Sequence, residues 1–405
     1  MVLEGAKKRA ALLVLTAVVC DYIGVSMMRV TLPFFAKALG GTATLTGGIE
    51  SMYGIGQVTG ALLLPKLSDT WGRKAILTMS CLGSVVGYSL SITARYLDSP
   101  ALLLASRIPV GLAKQTVTVS RAVVGDVTDP GKERSEWMQY LSTALAIGCV
   151  AGPFFGGQAA EYLGDLAPAF ISVAIFTILT PVVFFMLPET TQGKKTDAAE
   201  EKSSQGDRSM WFHVPALCVL SVLCLPELGL IMHSSVTLYS YTINSLGKGK
   251  AWNGNLTAGS AVFQATFAYL MGICSKHGWS DISMMQIAVI SFAIASGGIA
   301  WGQTVPAVIC TAPFAAFANS GLRGYPGTLL SKQAPESRQG EAMGMLDLAS
   351  SGLRVLAPLL AGMVMDKYGN TAGFILQFTL FMIALVLLPF LPAPQTPTDA
   401  KKKVK

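Results

Sequence analysis

Twelve apolar stretches of roughly twenty residues each recur along this chain, and nothing else in it constrains the fold as strongly. They occupy approximately residues 10–36, 45–67, 74–97, 100–125, 137–160, 167–187, 212–241, 255–274, 282–300, 304–330, 340–364 and 371–392. A bilayer core about 30 Å thick takes roughly 20 residues of helix to cross, so each stretch predicts one membrane-spanning helix. The stretches are continuous, whereas barrel strands would alternate polar and apolar residues over about ten positions. The expected fold is therefore all-α and integral to a membrane. With 52% apolar and 13% charged residues, the chain would expose too much apolar surface in water to be an ordinary soluble enzyme.

The six tryptophans (71, 137, 211, 252, 279 and 301) fall at predicted helix ends, where an amphipathic ring prefers the headgroup level. With the N-terminus inside, nineteen Lys and Arg fall on inside segments and five on outside segments (Lys37, Arg95, Lys248, Lys250 and Lys367). This bias predicts that both termini are cytoplasmic. The net charge of +7 then reflects membrane topology rather than a nucleic-acid partner. The first run lacks an A-x-A site and continues through Asp21, so it reads as a span and not as a signal peptide. The seven cysteines lie scattered in helices as packing residues, with no metal-ligand spacing. Asn255-Leu256-Thr257 is a glycosylation sequon on the predicted outside, close to the start of a helix.

The one long polar segment between helices, 189–210, has mixed charge and almost no large apolar side chain, as expected of a cytoplasmic linker. It divides an N-terminal six-helix bundle, 1–188, from a C-terminal one, 211–392, followed by a basic cytoplasmic tail, 393–405. A shift of 205 residues places Pro130 on Pro335, Met138 on Met343, Pro153 on Pro358, Gly157 on Gly362 and Gly164 on Gly369, and a shift of 206 puts Asp21 on Glu227. Two pseudo-symmetric six-helix bundles of this kind predict a transporter whose halves rock around a midplane site.

Between the second and third spans lies SDTWGRK, residues 68–74. Its Asp69-x-x-Gly72-Arg73-Lys74 resembles the signature loop of the major facilitator superfamily, with Pro65 where that signature usually begins with glycine. Arg107, Gly111 and Asp126 resemble the superfamily's second motif. Gly148, Gly152, Pro153, Gly156 and Gly157 resemble the motif that marks its antiporters. The run from Ser106 to Gly157 and the Asp21, Gly24, Leu32-Pro33 set are similar to tetracycline-type drug:proton antiporters, from which Arg29 departs. The second half, around QGEAMGMLDLASSGLRVLAPLLAG, is similar to the eukaryotic organic cation transporter-like protein of solute carrier family 22. The resemblance implies a latch in which Asp69 and Arg73 contact neighbouring helix ends, including Asp126 and the start of the eleventh helix. It also implies that the fifth-helix glycines form a close seam that blocks leak and favours exchange.

Six bases (Arg29, Arg107, Lys114, Arg121, Arg323 and Arg354) and four acids (Asp21, Glu50, Glu227 and Asp347) fall within the predicted spans. A charge at bilayer depth is costly unless paired or wet, so these residues mark an aqueous pathway. Arg107, Lys114 and Arg121 are spaced by seven, which on an unbroken helix forms one cationic stripe with about 10 Å between neighbours. Lys114 with Gln115 is its central member. Asp21 is the leading proton or cation site, followed by Glu227. Glu50 lies nearer the outer surface, Asp347 and Arg354 share a face two turns apart, and His233 is the one histidine inside a span.

These features read as a secondary active transporter of small organic molecules, working by proton-coupled antiport of organic cations or amphipathic drugs. Cation-π contacts from aromatics such as Phe34, Tyr53, Phe263 and Phe317 would suit such a cation. The base excess favours a different reading, a facilitator or exchanger of organic anions or phosphorylated metabolites. A non-transporting receptor on the same fold is a third. No G-x-x-x-x-G-K-[ST] is present to bind ATP, and no cofactor, metal or enzymatic activity is expected. The expected partners are a small organic substrate, protons and the lipid bilayer, with the protein a monomer.

Overall fold

The computed structural model describes residues 5–129, 131–190, 214–334 and 339–391. The expected linker beyond Thr190, Trp211, His213, the basic tail and the side chains of Pro65, Lys66 and Asp69 lie outside the described residues.

The chain is an all-α integral membrane protein. Its helices are α1 (Gly5–Ala38), α2 (Ala43–Trp71), α3 (Arg73–Tyr96), α4 (Pro100–Ala113), α5 (Thr116–Val127), α6 (Lys132–Tyr162), α7 (Ala167–Met186), α8 (Val214–Met232), α9 (Leu238–Asn244), α10 (Lys250–Lys276), α11 (Asp281–Gly302), α12 (Val305–Ser331), α13 (Gln339–Tyr368) and α14 (Ala372–Leu387). A π-helical turn, His233–Thr237, joins α8 to α9 as one span, and α4 with α5 makes another, so the fourteen α-helices among the described residues form the twelve expected spans. Local chemistry sets the ends. Ser99 accepts the Leu102 amide at 3.3 Å with Pro100 at the first helical position, and Thr304 accepts the Ala307 amide at 3.3 Å. Large apolar side chains such as Ile178 and Phe185 stay exposed on the outer faces, where lipid is the solvent.

The fourth span departs from the sequence expectation. It is not a continuous helix over 100–125. Lys114 has φ −73° and ψ 68°, and Gln115 donates its amide to the Ala113 carbonyl at 2.7 Å, which is an inverse γ-turn centred on Lys114. The single stripe of Arg107, Lys114 and Arg121 therefore does not form. Arg107 is buried, Lys114 turns into the interior and Arg121 is exposed.

The chain divides into two compact units, residues 1–199 with 242–261, and residues 200–241 with 262–405. In the first, α1 packs on α5, α6 and α7, α2 on α4, and α3 on α4 and α7. In the second, α8 packs on α13 and α14, α11 packs on α12 and α14, and Ser320 of α12 donates to the Gln264 carbonyl of α10 at 2.8 Å. Counted as spans, pairs 1–5, 1–6, 3–4 and 3–6 recur as 7–11, 7–12, 9–10 and 9–12, while the close 2–4 packing has only a loose counterpart in 8–10. The repeat reaches single contacts. A Cβ on Gly24 would lie 2.6 Å from the Phe176 ring, and one on Gly229 would lie 2.8 Å from the Phe381 ring. Both partners are displaced by 205 residues, the offset seen in the fifth and eleventh spans. Lipid tails are as apolar as leucine, so close packing of this kind, more than expulsion of apolar surface from water, holds such helices together.

Candidate functional site

The middle of α1 and the break between α4 and α5 meet at an ion pair. Lys114 donates its ammonium group to Asp21 Oδ2, and the two side chains are 7% and 1% exposed. The Lys114 ammonium also lies 4.8 Å from the centre of the Tyr22 ring. The γ-turn is what permits this pairing, because it frees Lys114 from a helical face and directs it to α1. Gln115, next in the chain, is buried. About two turns earlier, Arg107 lies 5.7 Å from the centres of both the Tyr53 and Tyr88 rings. Asp21, Arg107, Glu50 and Arg29 all act electrostatically on Tyr53, so these charges share one neighbourhood.

In the second unit, Glu227 on α8 is half-buried and within electrostatic range of Arg323 and Arg354. Arg323 also donates to Asn319 Oδ1 at 2.7 Å. Asp347 is exposed. His233, at the start of the π-helical turn, is buried edge-on between Phe292 and Phe374, with Nδ1 3.2 Å from Gln377 Oε1. Gln377 in turn donates to Thr237 Oγ1 at 2.8 Å. The structure thus gathers Asp21, Lys114, Gln115, Arg107 and Glu50 in one unit, and Glu227, Arg323 and Arg354 in the other.

At the 68–74 turn, Arg73 Nε donates to Asp126 Oδ2 at 3.2 Å and Nη1 to Ser68 Oγ at 2.9 Å. A residue that sequence reasoning assigned to the linker completes the cluster. Glu189 accepts the Arg73 amide at 2.9 Å and the Lys74 amide at 3.3 Å, placing a carboxylate on the N-terminus of α3. Gly72 has φ +95°, and a Cβ there would sit 2.2 Å from Glu189 Oε2. The backbone angle favours glycine, and any side chain there would also have to displace the Glu189 carboxylate. Thr190 adds a 3.4 Å bond to Asp126. The available signal for Glu189 was an acid directly after an apolar run, on the side where that turn emerges.

The α6 glycines are contact points. A Cβ would lie 2.4 Å from Tyr22 Cβ at Gly148, 2.7 Å from the Ile23 carbonyl at Gly152 and 2.7 Å from Met27 Cα at Gly156. At Gly157 it would lie 2.7 Å from the Lys250 carbonyl at the start of α10, and the Pro153 carbonyl faces Gly254. Glu161 accepts the Lys250 amide at 2.9 Å, and Lys250 forms an ion pair with Asp165. The sequon residue Asn255 lies within α10, its side-chain oxygen accepting from Gln158 Nε2 at 3.1 Å.

Comparison with known proteins agrees with this architecture. The chain is 25% identical over 386 residues to human solute carrier family 67 member A1, covering 90% of this chain and 88% of that protein. It is 27% identical over 408 residues to the class D tetracycline resistance protein of Salmonella ordonez, covering 96% and 99%. The crystal structure of the human organic anion transporter MFSD10 superposes with a TM-score of 0.61 at 22% identity, covering 95% of this chain and all of that one, and shows the shared fold. The profile described as Major Facilitator Superfamily matches residues 14–325 and 230–405. This chain, an integral multi-pass membrane protein of a transporter family and not an enzyme family, belongs to the Major Facilitator Superfamily.

Proposed function

We propose that this chain is a secondary transporter of small organic anions that carries a proton with the anion, with the Asp21–Lys114 pair as its switch. One observation carries the choice of charge. Around Tyr53, three cations (Arg29, Arg107 and Lys114) face two carboxylates, Asp21 and Glu50. The description of MFSD10 as an organic anion transporter supports the same reading.

An anionic group entering this region competes with Asp21 for Lys114. Once displaced, Asp21 sits at bilayer depth without a counter-charge and binds a proton. The proton then travels with the anion. A cationic substrate would take Asp21 from Lys114 and expel a proton instead. That opposite reading, drug:proton antiport, is favoured by the α6 glycine motif and by the tetracycline resistance relatives. In either case the cluster of Gly72, Arg73, Asp126 and Glu189, with Asp69 and Lys74, serves as the latch on the side that the Lys and Arg distribution assigns to the cytoplasm. The seam of Gly148, Gly152, Pro153, Gly156 and Gly157 limits leak. The two six-helix halves, 1–188 and 211–392, rock about the linker, and one copy suffices.

The test is transport by the purified protein in liposomes holding a lumenal pH dye, offered pooled organic anions and pooled organic cations. Expected is anion uptake with acidification of the lumen, lost in Lys114→Met and uncoupled from protons in Asp21→Asn. Cation uptake with alkalinisation establishes the antiport reading instead, and movement of neither pool overturns transport through this pair.

A further inference from the structure

We propose that Arg107 holds a small monovalent inorganic anion, chloride being the plainest example, inside the first compact unit. The inference draws on the same excess of positive charge as the proposed function, and a substrate anion would have to displace the inorganic one. Arg107 is 4% exposed, and its Nε and Nη1 are buried with no hydrogen-bond partner among the described residues. The Tyr88 hydroxyl is buried beside the Arg107 guanidinium, within its hydrogen-bonding reach, and its own O–H meets no acceptor among the described residues.

Packing brings these groups to one level. A Cβ on Gly111 would lie 2.3 Å from the Tyr53 carbonyl, which holds α2 against α4, and one on Gly87 would lie 2.8 Å from the Ser106 carbonyl, which holds α3 against the turn that carries Arg107. The Tyr53 and Tyr88 rings offer the guanidinium their π-faces, which ease its charge but accept none of its in-plane N–H bonds.

Charge decides between water and an anion as the missing acceptor. A guanidinium does not give up its proton, so burial cannot be relieved by neutralising it. Water would satisfy the donors and leave the charge. The carboxylate of Asp21 is taken by Lys114, and Glu50 and Arg29 offset each other formally, which leaves Arg107 as the uncompensated cation near Tyr53. A monovalent anion supplies both the acceptor and the missing charge. The groups left to serve it, Arg107 Nε and Nη1 and the Tyr88 O–H, are donors, as an anion requires.

The experiment is the thermal unfolding midpoint of the full chain in detergent, with chloride replaced stepwise by gluconate at constant ionic strength. In wild type the midpoint should rise with chloride and saturate. Arg107→Gln should show no chloride dependence and, in gluconate, a midpoint no lower than wild type, because it no longer carries the unpaired charge. Should that variant fail to fold, Tyr88→Phe keeps the guanidinium, and removing one donor should weaken the chloride response about tenfold. A wild-type midpoint indifferent to chloride overturns the proposal, as does an equal response in wild type and Arg107→Gln. Saturation by acetate but not by chloride or bromide also overturns it, and assigns Arg107 to the carboxylate of a substrate.

Discussion

Removing either partner of the Asp21–Lys114 pair should cost far more than removing both. The exposures of 1% and 7% put the pair in the buried class, where truncating one partner leaves an uncompensated charge at a cost of about 3–5 kcal/mol. An exposed pair would be worth only about 0–1 kcal/mol. Asp21 Oδ1 has no hydrogen-bond partner among the described residues, so the pair's desolvation is incompletely repaid, and its replacement by apolar groups should be close to neutral. We therefore expect Asp21→Ala and Lys114→Met each to destabilise by about 3 kcal/mol or more. The double variant should lie within about 2 kcal/mol of wild type, allowing for the small cavity left by alanine. The coupling, about 4 kcal/mol or more, can be read from SDS-driven unfolding of the four proteins in mixed micelles, followed by intrinsic fluorescence. Single variants that each cost under about 1 kcal/mol and simply add would place the pair in the solvated class and refute the reasoning.

Gly72→Ala should lose about 1–3 kcal/mol to backbone strain alone, and further stability through displacement of Glu189; in a Glu189→Ala background only the strain should remain, which a cycle of unfolding measurements resolves. Gly157→Val should destabilise by about 1–3 kcal/mol, because backbone atoms of Lys250 and Gly254 stand in the way. Gly259→Ala, with nothing within 4 Å of the added methyl, should be neutral or stabilising in the same assay. Asn255→Gln should leave electrophoretic mobility unchanged after expression in a glycosylating host, because a side chain held within a helix by Gln158 is poorly placed for modification.

The spans were legible because bilayer thickness dictates their length, and helix ends such as Arg73–Tyr96 fall within a residue or two of the apolar run 74–97. The repeat was legible at the fifth and eleventh spans through its prolines and glycines. The Gly24–Phe176 and Gly229–Phe381 contacts obey the same offset, yet a glycine and a phenylalanine 152 residues apart look like nothing until they touch. The break at Lys114 escaped because a seven-residue spacing is satisfied whether or not the helix continues. Its trace was the run Thr116-Val117-Thr118-Val119-Ser120, mostly β-branched and poor at sustaining a helix, directly after Lys114-Gln115. Glu189 escaped because a polar residue at the start of a hydrophilic segment looks solvated, while its actual role is set by an amide 116 positions away. For Asp69 the residues legible in the motif lie outside the described side chains.

The turn at Lys114 gives the fourth span a joint. α4 and α5, 14 and 12 residues long, are two stiff rods of about 21 Å and 18 Å, and the helical hydrogen bonds that an unbroken span would have to sever in order to bend are already open between them. Asp21 holds the side chain of the residue at the centre of that joint. On the proposed mechanism, a ligand that loosens this hold also frees the angle between α4 and α5 as it changes the charge of the site, so recognition and mechanical bending fall on one residue.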